Sequence, residues 1–212
     1  MKKLISMMAV LLLVCLAVNA CAMTIVKPDA SGTLKALLGG KTYNARISGW
    51  GSYGEDEDAK FTISITVCEE DRFDASAIEN LQAGDAILFG NGTVAVVTEV
   101  TPDETETGFI VKGSDFDAYS FCKLEDGSYA AVTEYEYPFW TDIFTVEVPL
   151  EKDIRFLDWS DPENLDAPVA LGLDELLDHL INGTVFSPYN TQVSFDENGR
   201  LIELLYTYSP WN

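Results

Sequence analysis

Gly92-Thr93-Val94-Ala95-Val96-Val97-Thr98-Glu99-Val100 and Gly127-Ser128-Tyr129-Ala130-Ala131-Val132-Thr133-Glu134-Tyr135 share one frame: Gly, Thr or Ser, x, Ala, x, Val, Thr, Glu. Each follows an Asn-Gly or Asp-Gly step, Asn91-Gly92 and Asp126-Gly127, where glycine supplies the positive φ that tight hairpins require. From Ala86 to Val111 the chain reads as strand, turn, strand, acidic loop, strand, and from Phe121 to Val146 it repeats that plan, down to Phe109 matching Phe144. Hairpins draw on a narrow alphabet of Gly, Thr and Val, so duplication and convergence both account for the match. Either one makes the middle of the chain an antiparallel meander or a small barrel built on two similar hairpin units.

Outward from this centre, Phe61-Thr62-Ile63-Ser64-Ile65-Thr66-Val67 alternates apolar and polar residues without a break, the pattern of a half-buried strand. Thr42 to Trp50 is a strand candidate before it, and Leu34, Leu37 and Leu38, ended by Gly39-Gly40, suit one or two helical turns. In the last third, Leu173, Leu176, Leu177, Leu180 and Ile181 fall on one face of a helix, with Asp174 and Glu175 in its first turn and Gly183 just past its end. Thr191 to Phe195, the turn Asp196-Glu197-Asn198-Gly199 and Leu201 to Tyr208 form a hairpin for that helix to lie on. The expected fold is mostly β (α+β), with this one amphipathic helix packed on a C-terminal hairpin. Its expected divisions are a leader (1–20), a tether and short helix (21–40), a β-rich core (41–150) and a strand, helix and hairpin portion (151–212) on the same domain.

The N-terminus carries location rather than fold. Lys2-Lys3 precede an uncharged apolar run from Leu4 to Val18, followed at once by small residues, which is the layout of a secretory leader. At about 15 residues the run is short of the roughly 20 that a membrane-spanning helix needs. Val18-Asn19-Ala20-Cys21 resembles a bacterial lipobox, with Asn19 departing from the usual occupant of its place. The resemblance implies cleavage before Cys21, lipidation of its thiol and a membrane-anchored lipoprotein. The same residues also read as an A-x-A site, Ala20-Cys21-Ala22, cut after Ala22 to give a secreted soluble chain, and an uncleaved anchor is a third reading. All three place the remainder outside the cytoplasm.

The 212 residues carry 13 Lys and Arg against 35 Asp and Glu, a net charge of -22. Loss of residues 1–20 removes Lys2 and Lys3 and no acid. Such a surface repels phosphate backbones, so nucleic-acid binding is excluded as an expectation. Of the four cysteines, Cys15 leaves with the leader and Cys21 is the candidate anchor. Cys68 and Cys122 then stand either as a disulfide, worth about 4 kcal/mol on the chain-entropy estimate, or as two buried thiols.

Chemistry is sparse. His179 is the single histidine, which excludes multi-histidine zinc sites, and its place among Glu175, Asp178 and Asn182 reads as the solvated face of the helix. Glu55-Asp56-Glu57-Asp58 and Asp103-Glu104-Thr105-Glu106 lack the spacing of a calcium loop and read as solvated turns. No metal or cofactor is expected. Glu99 and Glu134 hold equivalent places in the repeated unit, and two carboxyls about 5 to 9 Å apart suit glycoside hydrolysis. Tyr137, Phe139 and Trp140, with Tyr135 and Pro138, crowd one strand end, and flat rings with polar tips suit a sugar face or a peptide. The leading expectation is a non-catalytic binding module for an unknown protein or glycan ligand. A carboxylate-based glycan hydrolase and a structural accessory protein of the cell envelope are the alternatives.

Overall fold

The computed structural model describes residues 24–26, 33–54, 60–90, 92–103, 108–114, 118–133, 138–163 and 166–208. In chain order its elements are β1 (Thr24–Val26), α1 (Thr33–Leu38), β2 (Thr42–Tyr53), β3 (Lys60–Glu70), β4 (Arg72–Phe73), α2 (Ala75–Glu79), β5 (Ala86–Leu88), β6 (Val94–Pro102) and β7 (Gly108–Gly113). There follow β8 (Tyr119–Lys123), β9 (Tyr129–Thr133), β10 (Trp140–Leu150), β11 (Arg155–Trp159), β12 (Val169–Leu171), α3 (Leu173–Ile181), β13 (Thr191–Phe195) and β14 (Leu201–Thr207). The protein is mostly β with few helices, as its alternation and turn residues require. None of the described helices is long and apolar enough to cross a membrane.

The chain forms two compact units. An inserted unit takes Glu70–Thr141, and a host unit takes Met23–Glu69 with Asp142–Asn212. The inserted unit carries a sheet in the order β4-β9-β8-β7-β6-β5, antiparallel at every pairing. Its two hairpins match in register as well as sequence. Ala86 faces Val96 and Leu88 faces Val94 in the first; at the equivalent places Phe121 faces Ala131 and Lys123 faces Tyr129 in the second.

Both turns make the same two backbone bonds. Gly92 N–H donates to Phe89 and Phe89 N–H to Thr93, while Gly127 N–H donates to Leu124 and Leu124 N–H to Ser128. These are three-residue hairpin loops whose last residue is left-handed, and Gly92 (φ 84°) and Gly127 (φ 86°) fill that place. The hairpin β13–β14 uses it a third time, with Gly199 at φ 80° and bonds from Gly199 to Asp196 and from Asp196 to Arg200.

The repeat stops at its third strand. β7 pairs with β6 in the meander, but β10, which carries Phe144, runs into the host sheet, whose order is β1-β10-β3-β2-β13-β14-β11-β12. That sheet is mixed, with parallel pairs β1–β10 and β11–β14. Local pattern names a strand but not its neighbour, which is why the third-strand match misled. The inserted core is aromatic: Phe89 stacks on Phe139 at 4.6 Å and meets Phe73 and Tyr119 edge-on at 5.8 and 5.4 Å. In the host unit Leu176 and Leu180 of α3 pack with Phe156, Val193, Leu201 and Leu204, whereas Ile181 in the last turn is 61% exposed.

Gly92 and Gly127 have open space where an alanine methyl would stand, so alanine there meets only backbone strain. Gly92→Ala and Gly127→Ala should therefore each cost about 1–2 kcal/mol, and should cost the same. At Gly108 a Cβ would run into the carbonyl of Phe121, so Gly108→Ala should cost about 2 kcal/mol or more. Urea unfolding of the three variants measures this; unequal costs at Gly92 and Gly127 would contradict the equivalence of the turns.

Candidate functional site

The carboxylate pair read from the repeat is not assembled as expected at Glu99. The ladder between β6 and β7 shifts register between Val97 and Glu99, so that Val97 faces Gly113, Glu99 faces Lys112 and Val100 faces Val111. A bulge advances the pleat by one residue and changes which side chain points inward. Val97 is buried, Val100 packs on the core, and Glu99 is left outside in an ion pair with Lys112 at 3.0 Å, both side chains half exposed. That is a solvated pair, not a desolvated acid of the kind glycoside hydrolysis needs. Glu134 and Tyr137 lie outside the described residues, as do Cys21, the acidic run 55–58 and residues 104–106.

Phe139, expected to offer a ligand platform, is spent on the core: it stacks on Phe89 and meets Tyr119 at 4.8 Å. Trp140 opens β10 and is partly buried. Cys68 is a buried thiol, not half of a disulfide, and its Sγ donates to Asp142 Oδ1 at 3.4 Å. Arg46 Nη1 holds the same carboxylate at 2.8 Å. Cys122 sits in β8, partly buried, its backbone between Gly108 and Ala130. Burial, and after it the neighbouring Asp142 carboxylate, push the Cys68 thiol up from 9.0 to about 12.

His179 is not on a solvated face. Its ring meets Phe156 edge-on at 4.9 Å and Tyr206 at 5.9 Å. Nδ1 is 3.2 Å from Thr184 Oγ1 and Nε2 is 3.7 Å from Asp158 Oδ2. Hydroxyl, imidazole and carboxylate in a row are the parts of a nucleophilic relay, but the carboxylate is beyond hydrogen-bond reach. The Thr184 N–H, which an oxyanion would need, donates to His179 O at 3.0 Å. The cluster packs the end of α3 on the sheet.

The feature with the geometry of a binding site was not legible in the sequence. A cleft of about 1070 Å³ opens in the host unit where the β2 and β3 ends, the β10–β11 turn and the start of α3 converge. Phe61, Leu150, Leu173 and Leu177, all buried or packed on the core, make its apolar floor. Tyr53, 55% exposed, stands at its rim with Lys60, Glu151, Lys152 and Asp174. Two further lining acids are committed: Asp153 pairs with Arg200 at 3.1 Å, and Glu175 accepts from the Gly172 N–H at 3.0 Å. The Glu175 N–H and the Gly172 N–H hold that carboxyl below its ordinary value. Among the described residues no hydrogen bond or ion pair engages the side chains of Glu151, Asp174, Lys60 or Lys152. These residues come from four separated segments, so no local motif marks them; an apolar helix start preceded by glycine was the nearest signal.

No protein-family model, curated protein or solved structure matches the chain.

Because the folded state raises the Cys68 pKa, it holds the thiol proton more tightly than the unfolded chain does. The resulting stability is intact below pH 9 and is lost as pH rises toward about 12. Alkaline unfolding followed across that window should be steeper in the native protein than in Cys68→Ser, and native Cys68 should resist iodoacetamide at pH 8. Coincident alkaline limbs in the two proteins would contradict the assignment.

Proposed function

We propose that the protein is an extracytoplasmic, lipid-anchored binding module that takes its ligand in the cleft of the host unit. The observation that carries the reading is the cleft's make-up: an apolar floor, an exposed tyrosine, and the charged side chains of Lys60, Glu151, Lys152 and Asp174, which have no partner among the described residues. Ligand sites are concave, mostly apolar and supplied with a few uncommitted polar groups, and a volume of about 1070 Å³ is enough for a small molecule or a few residues of a peptide. The leader and the lipobox-like Val18-Asn19-Ala20-Cys21 support the location. The net charge of -22 supports solubility of an exported domain. Glu99, solvated and ion-paired, gives the hydrolase alternative no support.

Two measurements test this. Cys21→Ser should move the protein from the membrane fraction to the soluble fraction; a native chain that is already soluble and begins at Met23 would overturn the anchor. In titrations of the soluble variant with a panel of small aromatic and aliphatic fragments, NMR shift changes should concentrate on Tyr53, Phe61, Leu173 and Leu177. Changes scattered over both units, or confined to the inserted one, would overturn the choice of cleft.

A further inference from the structure

We infer that the host unit stands on the bilayer by the end of its sheet where β1 begins, with the cleft at the far ends of the neighbouring strands, open to water rather than to lipid. The inference rests on the lipid anchor of the proposed function and adds where the membrane lies against the fold.

Only Ala22 and Met23 separate Cys21, the lipidated residue in that reading, from Thr24. Three residue steps span at most about 11 Å in any conformation, so the chain has no long spacer between the lipid and the host sheet. β1 is not a loose tail. It runs parallel to β10, with Thr24 facing Phe144 and Val26 facing Val146, and forms one edge of the eight-stranded sheet. A lipid on Cys21 therefore holds the Phe144 end of β10 close to the headgroups. Next to β10 in the sheet, β3 runs the opposite way: Thr66 meets Thr145 and Cys68 meets Asp142. The membrane end of the two strands is thus Glu69 on β3 and Asp142 and Ile143 on β10.

The cleft lies at their other ends. Lys60 and Phe61 start β3, Leu150 ends β10 and Tyr53 ends β2, and all four line it. Phe144 and Leu150 are six residues apart, about 20 Å along a strand. Charge sets the tilt. The chain carries a net charge of -22, and an anionic leaflet repels acids within a screening length of about 8 Å. Standing on one sheet end keeps more of those acids beyond that distance than lying flat does. Asp142, at the membrane end, is already answered by Arg46 at 2.8 Å. A ligand then reaches the cleft from the aqueous side.

The test is energy transfer from a fluorophore on the lipidated full chain to acceptor-labelled headgroups, with the protein added to preformed vesicles of phosphatidylcholine and phosphatidylglycerol. The label goes on Glu69→Cys or on Lys60→Cys, exposed positions at opposite ends of β3 and about 30 Å apart along the strand. Both are made in a Cys122→Ser background, where the remaining Cys68 is buried. Transfer should be at least threefold stronger from the Glu69 position than from the Lys60 position. A spacer of about sixteen Gly and Ser residues after Ala22, with a reach of about 22 Å, should weaken transfer from the Glu69 position at least twofold and leave the chain membrane-bound. Equal transfer from the two positions, or stronger transfer from Lys60, in a membrane-bound protein would overturn the orientation and leave the anchor standing. A signal that the spacer does not change would overturn the close hold through β1. A native chain found in the soluble fraction would remove the anchor, and the inference with it.

Discussion

Asp71 holds together the two ends of the inserted unit, and the host sheet depends on that closure. Its N–H donates to Phe139 O at 2.8 Å, its carboxylate receives the Thr141 hydroxyl, and its Oδ2 receives the Gly90 N–H at 2.9 Å. A Cβ at residue 90 would run into Thr141 and Asp71, so only glycine lets the turn approach this closely. Asp71 is 7% exposed, and a buried carboxylate is tolerable because hydrogen-bond donors answer it. The clip returns the chain to its starting place after a long excursion. That removes a closure cost of about 4 kcal/mol from the pairing of β10 with β3.

Once β10 is beside β3, the seam is sealed from within the host unit. Thr66 and Thr145, both buried, share a hydrogen bond at 2.8 Å. Asp142 gathers Arg46 and the Cys68 thiol, which joins β2, β3 and β10 through one carboxylate. The aliphatic side chains of the three strands then form a common core with α3. The cleft is a consequence of this order: β10 ends at Leu150 beside the start of α3, and the β2 and β3 ends bring Tyr53, Lys60 and Phe61 to the same place.

Much of the local structure was legible in the sequence, and for stated reasons. The positive-φ glycines marked three hairpins because no other residue takes that conformation at so little cost. The leucine spacing from Leu173 to Leu180 marked the helix because a period near 3.6 has one buried face. Physical limits explain the rest. A bulge at Val97 to Glu99 shifts the alternation by one without a sequence cue, and turned a proposed catalytic glutamate into a surface ion pair. Thr66 reads as the polar side of a half-buried strand, yet it is buried, because its partner Thr145 comes from β10. His179 was misplaced for the same reason: its neighbours Phe156 and Tyr206 belong to β11 and β14. Pairings between distant segments, and the cleft built from four of them, are decided by the whole fold.

Closure at Asp71 holds β10 in the host sheet, and amide hydrogen exchange in Asp71→Ala tests this dependence most directly. Loss of two hydrogen bonds to a buried charge should cost about 3 kcal/mol. Exchange should accelerate at Gly90 and Phe139 and also along Thr66, Val67, Thr145 and Val146, where β3 and β10 meet. Acceleration confined to the Gly90 turn, with β3 and β10 as protected as in the native protein, would contradict it.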